Sequence, residues 1–536
     1  MPTTYQTPGV YVEEVPSGSR PIEGVGTAVA AFVGFAEKGP LNTPVRVTNW
    51  TQYQNAFGGF IRSAYLPLSV YGFFANGGGN AWVIRVGGDV VTQPAKLAMP
   101  ARTATPLDTL RVIARLPGGE GNDIKVEVTD EEAPKAEKGK PEAKAEGKAE
   151  EEAGDEGTFR ITVRAPGQPA EVFESLTLRK GDPRNAVDVI NNPQTGSKFI
   201  TIEDLAPRGA SLPERRPAAE TYALAGGGET MTALVPADFQ GDVAARAGIE
   251  GLEAVDDVTM IALPDLMRAY QDGLIDKEGV IAVQKSVLAH CARMEDRVAI
   301  LDTPPNLDAT GVDEWKMITA NLISDGGYGA LYYPWIKVSD PASGQQIFVP
   351  PSGYIAGVWA RTDDRRGVHK APANEEVMGA LDLQHHLTHA EVGILNVHSI
   401  NCIRAFPGRG IRIWGGRSLA EAASEWRYVN VRRLFNFVKK SIGQGTQWVV
   451  FEPNDQNLWA TVRRDIGAFL TRVWGTGALF GATAGEAFYV KCDAETNPPE
   501  VIDAGMMVCE IGIAPVKPAE FVIFHIRQIT PGAAAE

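Results

Sequence analysis

Between Thr230 and Pro350 strand and helix patterns alternate, and this limits the possible folds more than any other feature of the chain. Val258–Leu263 is an apolar run ended by Pro264-Asp265, and Gly279–Met294 has helical spacing. Arg297–Leu301 is a second strand, ended by Asp302-Thr303-Pro304-Pro305. Asp313–Ile323 is a second helix and Ala330–Val338 a third strand. Strands joined through helices run parallel, and a parallel sheet must be covered on both faces. Residues 229–350 are therefore expected to form an α/β domain with a mainly parallel sheet.

The flanking regions look like two parts of one core. Residues 1–89 supply strands at Ala28–Phe35 and Ala81–Val86. Helices are expected at Trp50–Phe57 and from Pro67 to Gly77-Gly78-Gly79. That is too little apolar surface to close a core alone. Residues 351–536 begin beyond Val349-Pro350-Pro351 and are rich in strands at their end. Glu421–Lys440 reads as an amphipathic helix, with Tyr428, Val431, Phe435 and Val438 on one side and Arg432, Arg433, Lys439 and Lys440 on the other. Thr446–Glu452 reads as a strand. Asn454 or Asp455 then caps a helix with the stripe Trp459, Val462, Ile466, Phe469 and Val473. Strands follow at Phe488–Cys492, Met507–Ile513 and Phe521–Ile529, the last apolar on both faces. Residues 90–228 form a β-rich domain, with strands at Leu110–Ala114, Ile124–Val128, Phe159–Val163 and Glu171–Leu178. The segment 130–156 interrupts it: eleven acids against five lysines leave a charge of −6, with no large apolar residue, so a disordered loop is expected. The fold class is α/β in an α+β multidomain arrangement: a discontinuous core from both chain ends, with two inserted middle domains.

Candidate chemistry is sparse. Asp265 and Asp302 end parallel strands, where α/β enzymes place catalytic groups, but neither has a paired base or a phosphate loop, and turn capping suits both. His385 and His389 lie one helical turn apart beside His386, without the glutamate or third ligand of a zinc site. Gly475-Thr476-Gly477 follows a helix where a dinucleotide loop would follow a strand. No metal, cofactor or catalytic residue is expected. Cys291, Cys402, Cys492 and Cys509 are widely spaced and read as buried free thiols. A net charge of −15 over 536 residues argues against nucleic-acid binding. No apolar run suffices to span a bilayer, and MPTTYQTPG is not a signal peptide, so a cytoplasmic site of synthesis and assembly is expected.

Ile394–Leu419 reads as two strands around the turn Phe406-Pro407-Gly408-Arg409-Gly410 and carries several arginines. It contains Asn401 and Arg404, then Trp414-Gly415-Gly416-Arg417. With Thr7-Pro8-Gly9-Val10-Tyr11, Trp426, Asn430, Arg432, Arg433 and Trp448–Asn454, it resembles the contractile tail sheath family of phages and phage-tail-like injection systems. The resemblance implies a structural subunit and no enzyme: copies stack as hexameric rings around an inner tube, contract, and drive the tube through a target envelope. It implies strand-exchange arms at both ends, carried here by Val10, Tyr11, Val12 and Val15, and by Phe521, Ile523, Phe524 and Ile526. The inner-tube contacts would be Arg432, Arg433, Lys439 and Lys440. Partners would be further copies, the inner tube, and baseplate and terminal cap proteins, with no nucleic acid and no membrane insertion. The competing reading is an α/β enzyme or nucleotide-binding protein using residues 229–350.

Overall fold

The structure is a computed structural model that describes residues 21–87, 91–102, 108–117, 119–131, 158–205, 215–230 and 234–525. The chain divides into two compact units, one made of residues 1–87 and 233–536 and the other of Gly88–Thr232.

The larger unit begins with β1 (Val29–Gly34), whose six residues VAAFVG are all buried, then β2 (Val45–Val47) and β3 (Asn80–Arg85). β1 and β3 are parallel from Val29↔Asn80 to Gly34↔Arg85. Their crossover carries the helices Trp50–Phe57 and Leu66–Ala75. Asn49 starts the first, its side chain accepting from the Gln52 N–H.

The smaller unit contains β4 (Val91–Pro100), β5 (Asp108–Pro117), β6 (Lys125–Asp130), β7 (Phe159–Arg164), β8 (Glu171–Leu176), β9 (Ile200–Asp204), β10 (Thr221–Ala223) and β11 (Gly228–Thr230). They form two antiparallel four-stranded sheets, β10-β6-β7-β8 and β11-β4-β5-β9. Inward residues such as Leu110, Val112, Val126, Ile161 and Val163 make one core. β4 escapes sequence patterning because Pro94 and Pro100 punctuate it, each beside a shift in register. Most of the acidic segment 130–156 lies outside the described residues.

The chain then rejoins the first sheet. β12 (Met260–Ala262), β13 (Val298–Asp302) and β14 (Gly329–Tyr333) are wholly buried and parallel. β15 (Ile336–Ser339), β16 (Gln346–Val349) and β17 (Asp382–Leu383) form a small separate sheet, because Pro334 divides the single strand expected over Ala330–Val338. β18 (Ile400–Phe406) runs parallel to β14, and β19 (Gly410–Trp414) returns antiparallel. The eight-stranded order is β19-β18-β14-β13-β12-β1-β3-β2. Within residues 229–350, β12, β13 and β14 build the middle of this sheet through β1↔β12 pairing, while β15 and β16 belong to the small separate sheet.

Glycines let the two chain halves meet. Helix Leu66–Ala75 crosses helix Ser352–Arg366, where a Cβ on Gly353 would lie 2.5 Å from Ser69 Cα and one on Gly357 would lie 2.5 Å from the Phe73 carbonyl oxygen. Only hydrogen fits at such an approach.

Beyond β19 the expected helix 421–440 starts later, at Val429, and runs to Gly445. Residues 427–429 instead hydrogen-bond back to 416–418 through Ser418 N–H to Arg427 and Val429 N–H to Gly416. The strand expected over Thr446–Glu452 is a short 3-10 turn, Gln447–Val449. Helix Gln456–Gly475 is capped by Asp455 and buries its whole predicted stripe. β20 (Phe488–Lys491) and β21 (Glu510–Ile513) pair with each other. The third expected strand does not form over 521–525, and residues 526–529 lie outside the described ones.

Candidate interaction surfaces

The basic side expected of helix Val429–Gly445 faces inward. Arg433 donates to both carboxylate oxygens of Asp363, at 3.0 and 2.5 Å, and to the Thr27 carbonyl at 3.0 Å. Both side chains of the pair are 3% exposed, and the guanidinium lies 4.7 Å from the Trp359 ring centre. Arg432 sits 4.0 Å from the Trp426 ring and 4.6 Å from that of Tyr328. Lys440 pairs with Asp296 at 2.7 Å and is largely buried. The tube-contact expectation is thus corrected for Arg432, Arg433 and Lys440: helical spacing shows two faces, but other elements cover both. Lys439 alone of the four is well exposed, at 57%, and it pairs with Glu295.

Asp265 and Asp302 are equally committed. Asp265 is 0% exposed and accepts from the backbone N–H groups of Tyr65 (2.5 Å), Phe35 (2.7 Å) and Leu66 (3.0 Å). Asp302 is 3% exposed and accepts from the N–H and hydroxyl of Ser352, at 2.9 and 2.5 Å. Each carboxylate therefore satisfies the start of a helix contributed by a distant part of the chain. Burial pushes both up to about 7. A cavity of about 890 Å³ opens instead among residues 21–28, 363–369 and the helices that hold Phe437 and Phe469.

The three histidines go to separate partners. The His385 ring stacks on Tyr333, His386 Nε2 lies 3.1 Å from Asp382, and His389 opens helix His389–Val397 behind the Thr388 cap. Among the described residues, no group of three His, Cys, Asp or Glu side chains could hold a metal ion.

The arginine-rich block resolves into different roles. Asn401 Nδ2 donates to the carbonyls of Leu331 and Arg417, and its Oδ1 accepts from the Arg417 N–H. Arg404 and Arg409 lie over Phe406, at 5.3 and 5.4 Å, while Arg412 donates to the Asn374 carbonyl. Arg417 makes a two-pronged pair with Glu520, whose carboxylate also accepts from Asn396 and Tyr428. Sequence spacing could not reveal this partner, which lies 103 residues downstream.

Glu520 is the last fixed point before an open segment. Phe521, Val522, Ile523 and Phe524 are 73, 67, 75 and 83% exposed. The chain's first described residues dock on the C-terminal helices, across more than 400 residues of sequence: Ile22 packs in the core with Leu434 and Phe469, and Val25 N–H donates to Ser441 Oγ. The arm residues Val10, Tyr11, Val12, Val15 and Ile526 lie outside the described residues. Among the described residues the sheet β20-β21 has two strands, and neither contains a fully buried residue. Exposed Val450, Phe451, Phe480, Tyr489, Met506 and Val508 belong to the same C-terminal region.

Residues 244–419 match the family model described as the phage tail sheath protein central domain, and residues 421–529 match the phage tail sheath C-terminal domain. Together they take in just over half of the chain. A tail sheath protein of Burkholderia phage BcepMu is 25% identical over 93% of this chain and 92% of its own length. One from Vibrio phage KVP40 is 30% identical over 40% of this chain, which spans only 30% of that relative's length. Among solved structures, the contracted PVC sheath complex of an extracellular contractile injection system aligns with a TM-score of 0.58 and 24% identity, over 98% of each chain. The contracted helical sheath of the anti-feeding prophage gives 0.56 and 23%, covering 98% of this chain and 100% of that one.

Proposed function

The chain belongs to the tail sheath family, and from that premise we propose that it is the structural subunit of a contractile sheath. Copies stack as hexameric rings around an inner tube, with baseplate and terminal cap proteins at the two ends of the sleeve. Assembly takes place in the bacterial cytoplasm, into a phage tail or a tail-like particle. Among the described residues no helix is long and apolar enough to cross a membrane.

The observation that carries this reading is the pairing of an unfinished sheet with an uncovered segment. A two-stranded sheet is marginal in water, and its outer edges present free backbone donors and acceptors. The four exposed apolar side chains after Glu520 have the composition of a strand with no sheet to join. Strand addition between copies answers both needs at once, and each apolar side chain so buried contributes about 1.5–3 kcal/mol. The N-terminal residues Val10, Tyr11, Val12 and Val15 form the second arm. Such links hold neighbours together while their bodies turn, and contraction passes from a metastable extended packing to one of lower energy. Lys439 is the candidate retained for contact with the tube. Residues 229–350 offer no support for the enzymatic alternative, since Asp265 and Asp302 are spent on backbone N–H groups.

Negative-stain electron microscopy of the expressed protein tests the class, with long striated tubes as the expected result. Removing residues 1–15, or residues 521–536, should leave a folded, soluble subunit that forms no sleeves. Normal sleeves from both truncations would end the arm proposal.

A further inference from the structure

We propose that Cys492 and Cys509 form a redox-responsive staple across the sheet β20-β21, closed by exchange with a low-molecular-weight disulfide. The sequence spacing gives no hint of it, since sixteen residues separate the two thiols. The fold removes that separation. β20 and β21 pair from Phe488↔Ile513 to Lys491↔Glu510, and the next opposed positions in that register are Cys492 and Cys509. Directly opposed residues of an antiparallel pair have Cα atoms ~4.5–5.5 Å apart, inside the ~4.4–6.8 Å that a disulfide spans. Cys492 directly follows β20 and Cys509 directly precedes β21, so both side chains leave the strand pair on the same face.

Their surroundings give them unequal roles. Cys492 is buried, with Asn497 Nδ2 donating to its sulfur at 3.9 Å and Arg463 donating to its carbonyl at 2.6 Å. Asn497 also clasps the strand that carries Cys509, through the N–H and carbonyl of Val508. Cys509 is partly exposed. Its exposure makes it the entry thiol, while burial and the neighbouring Cys492 push it up to about 12, so the exchange quickens as pH rises: the Cys509 thiolate attacks one sulfur of the small disulfide, giving a mixed disulfide and releasing one small thiol. Cys492, as thiolate, then attacks the Cys509 sulfur and expels the second small thiol. Two protein thiols become one disulfide, one small disulfide becomes two thiols, and the two protons pass to the leaving thiolates. Cys291 and Cys402 are buried in a helix and in β18 and take no part. The staple holds the open sheet together whether or not that sheet receives a neighbour's arm.

The test uses the full-length protein equilibrated with oxidised glutathione, then alkylated under denaturing conditions. The thiol count should fall from four to two, the intact mass read before alkylation should drop by about 2 Da, and peptide mapping should link Cys492 to Cys509 within one chain. C492S should instead retain one glutathione on Cys509. Four surviving thiols in the wild type, a bond between copies, or a wild-type chain that keeps the Cys509 adduct would each overturn the proposal.

Discussion

The eight-stranded sheet and the two-stranded sheet are built from similar residues to opposite ends. In the first, β1, β12, β13 and β14 are buried throughout, and the helices over them are anchored by buried carboxylates. In the second, β20 and β21 pair with each other alone among the described residues and bury no residue fully. Local β-propensity does not separate them. What differs is how many partners each strand finds among the described residues: filled neighbours suit a rigid body, and open edges suit a proposed joint. The contrast predicts that substitutions around the first unfold the subunit, whereas those around the second spare it and change what it can join.

The largest loss is expected at Arg433. R433A strands Asp363, 3% exposed, without its counter-charge, at a cost of about 3–5 kcal/mol. R433K should recover only part, since an ammonium cannot serve both carboxylate oxygens in a fixed plane while resting on Trp359. Urea denaturation of the isolated subunit measures both, and a wild-type midpoint in R433A would dissolve the claim that this pair locks residues 27, 363 and 433 together.

Next comes Asp265. D265A leaves three buried backbone N–H groups unsatisfied, costing about 3 kcal/mol. The same buried carboxylates give the rigid body a pH dependence. With the folded carboxyls of Asp265 and Asp302 raised from 3.8 to about 7, the folded chain keeps protons between those values that the unfolded chain has released. Their contribution to stability is thus fully present below about pH 4, declines as pH rises, and levels off above about 7. D302N removes the share of its own group, so the difference in stability between wild type and D302N should vary across that window. A difference that stays flat from pH 4 to 7 would contradict the assignment.

The rigid body was the more legible of the two regions. Helix Trp50–Phe57 is bounded by Asn49 and Gly58, and helix Gln456–Gly475 by Asp455 and an uninterrupted apolar stripe, so local chemistry alone marks both. The strand-helix alternation gave the parallel order, but not the fact that β12 would pair with β1 across more than 200 residues, because pairing partners leave no periodic trace. The exposure expected of Arg432 and Arg433 gives way to burial for a related reason: helical spacing distinguishes two sides, while burial depends on which elements arrive from elsewhere. The apolarity of Phe521–Phe524 predicts a covered strand, yet the four stand exposed, because apolarity signals a need for cover and not what supplies it. The strand-like Thr446–Glu452 failed through Phe451, whose φ of 68° no strand accommodates.

On the open side the effects become local. E520Q removes the charge pairing with Arg417 and, because its amide nitrogen cannot accept, keeps one of the two contacts to Asn396 and Tyr428, at a cost of about 2 kcal/mol. Because the segment beyond residue 520 touches little else, the loss should not reach the global midpoint. Hydrogen exchange should quicken over residues 514–525 and stay unchanged in β12 and β13. Uniform quickening would show that the terminal segment is part of the rigid body after all, which would erase the distinction between the sheets.

The smallest effect is the most discriminating one. Phe451 is fully exposed, at 102%, and holds a left-handed backbone with φ 68°, a conformation that a bulky side chain occupies at a cost of about 1 kcal/mol. An isolated subunit gains nothing from a phenyl ring standing in water on a strained residue. F451G relieves the strain but loosens the unfolded chain as well, and the two changes nearly cancel, so stability should move by no more than about 0.5 kcal/mol. If the ring is kept for a contact between copies, the same substitution should weaken tube formation by an order of magnitude in the subunit concentration required. Unchanged assembly would confine the joint to the two arms and the sheet β20-β21. A large fall in stability would instead return Phe451 to the completed body, with a packing role that its full exposure does not reveal.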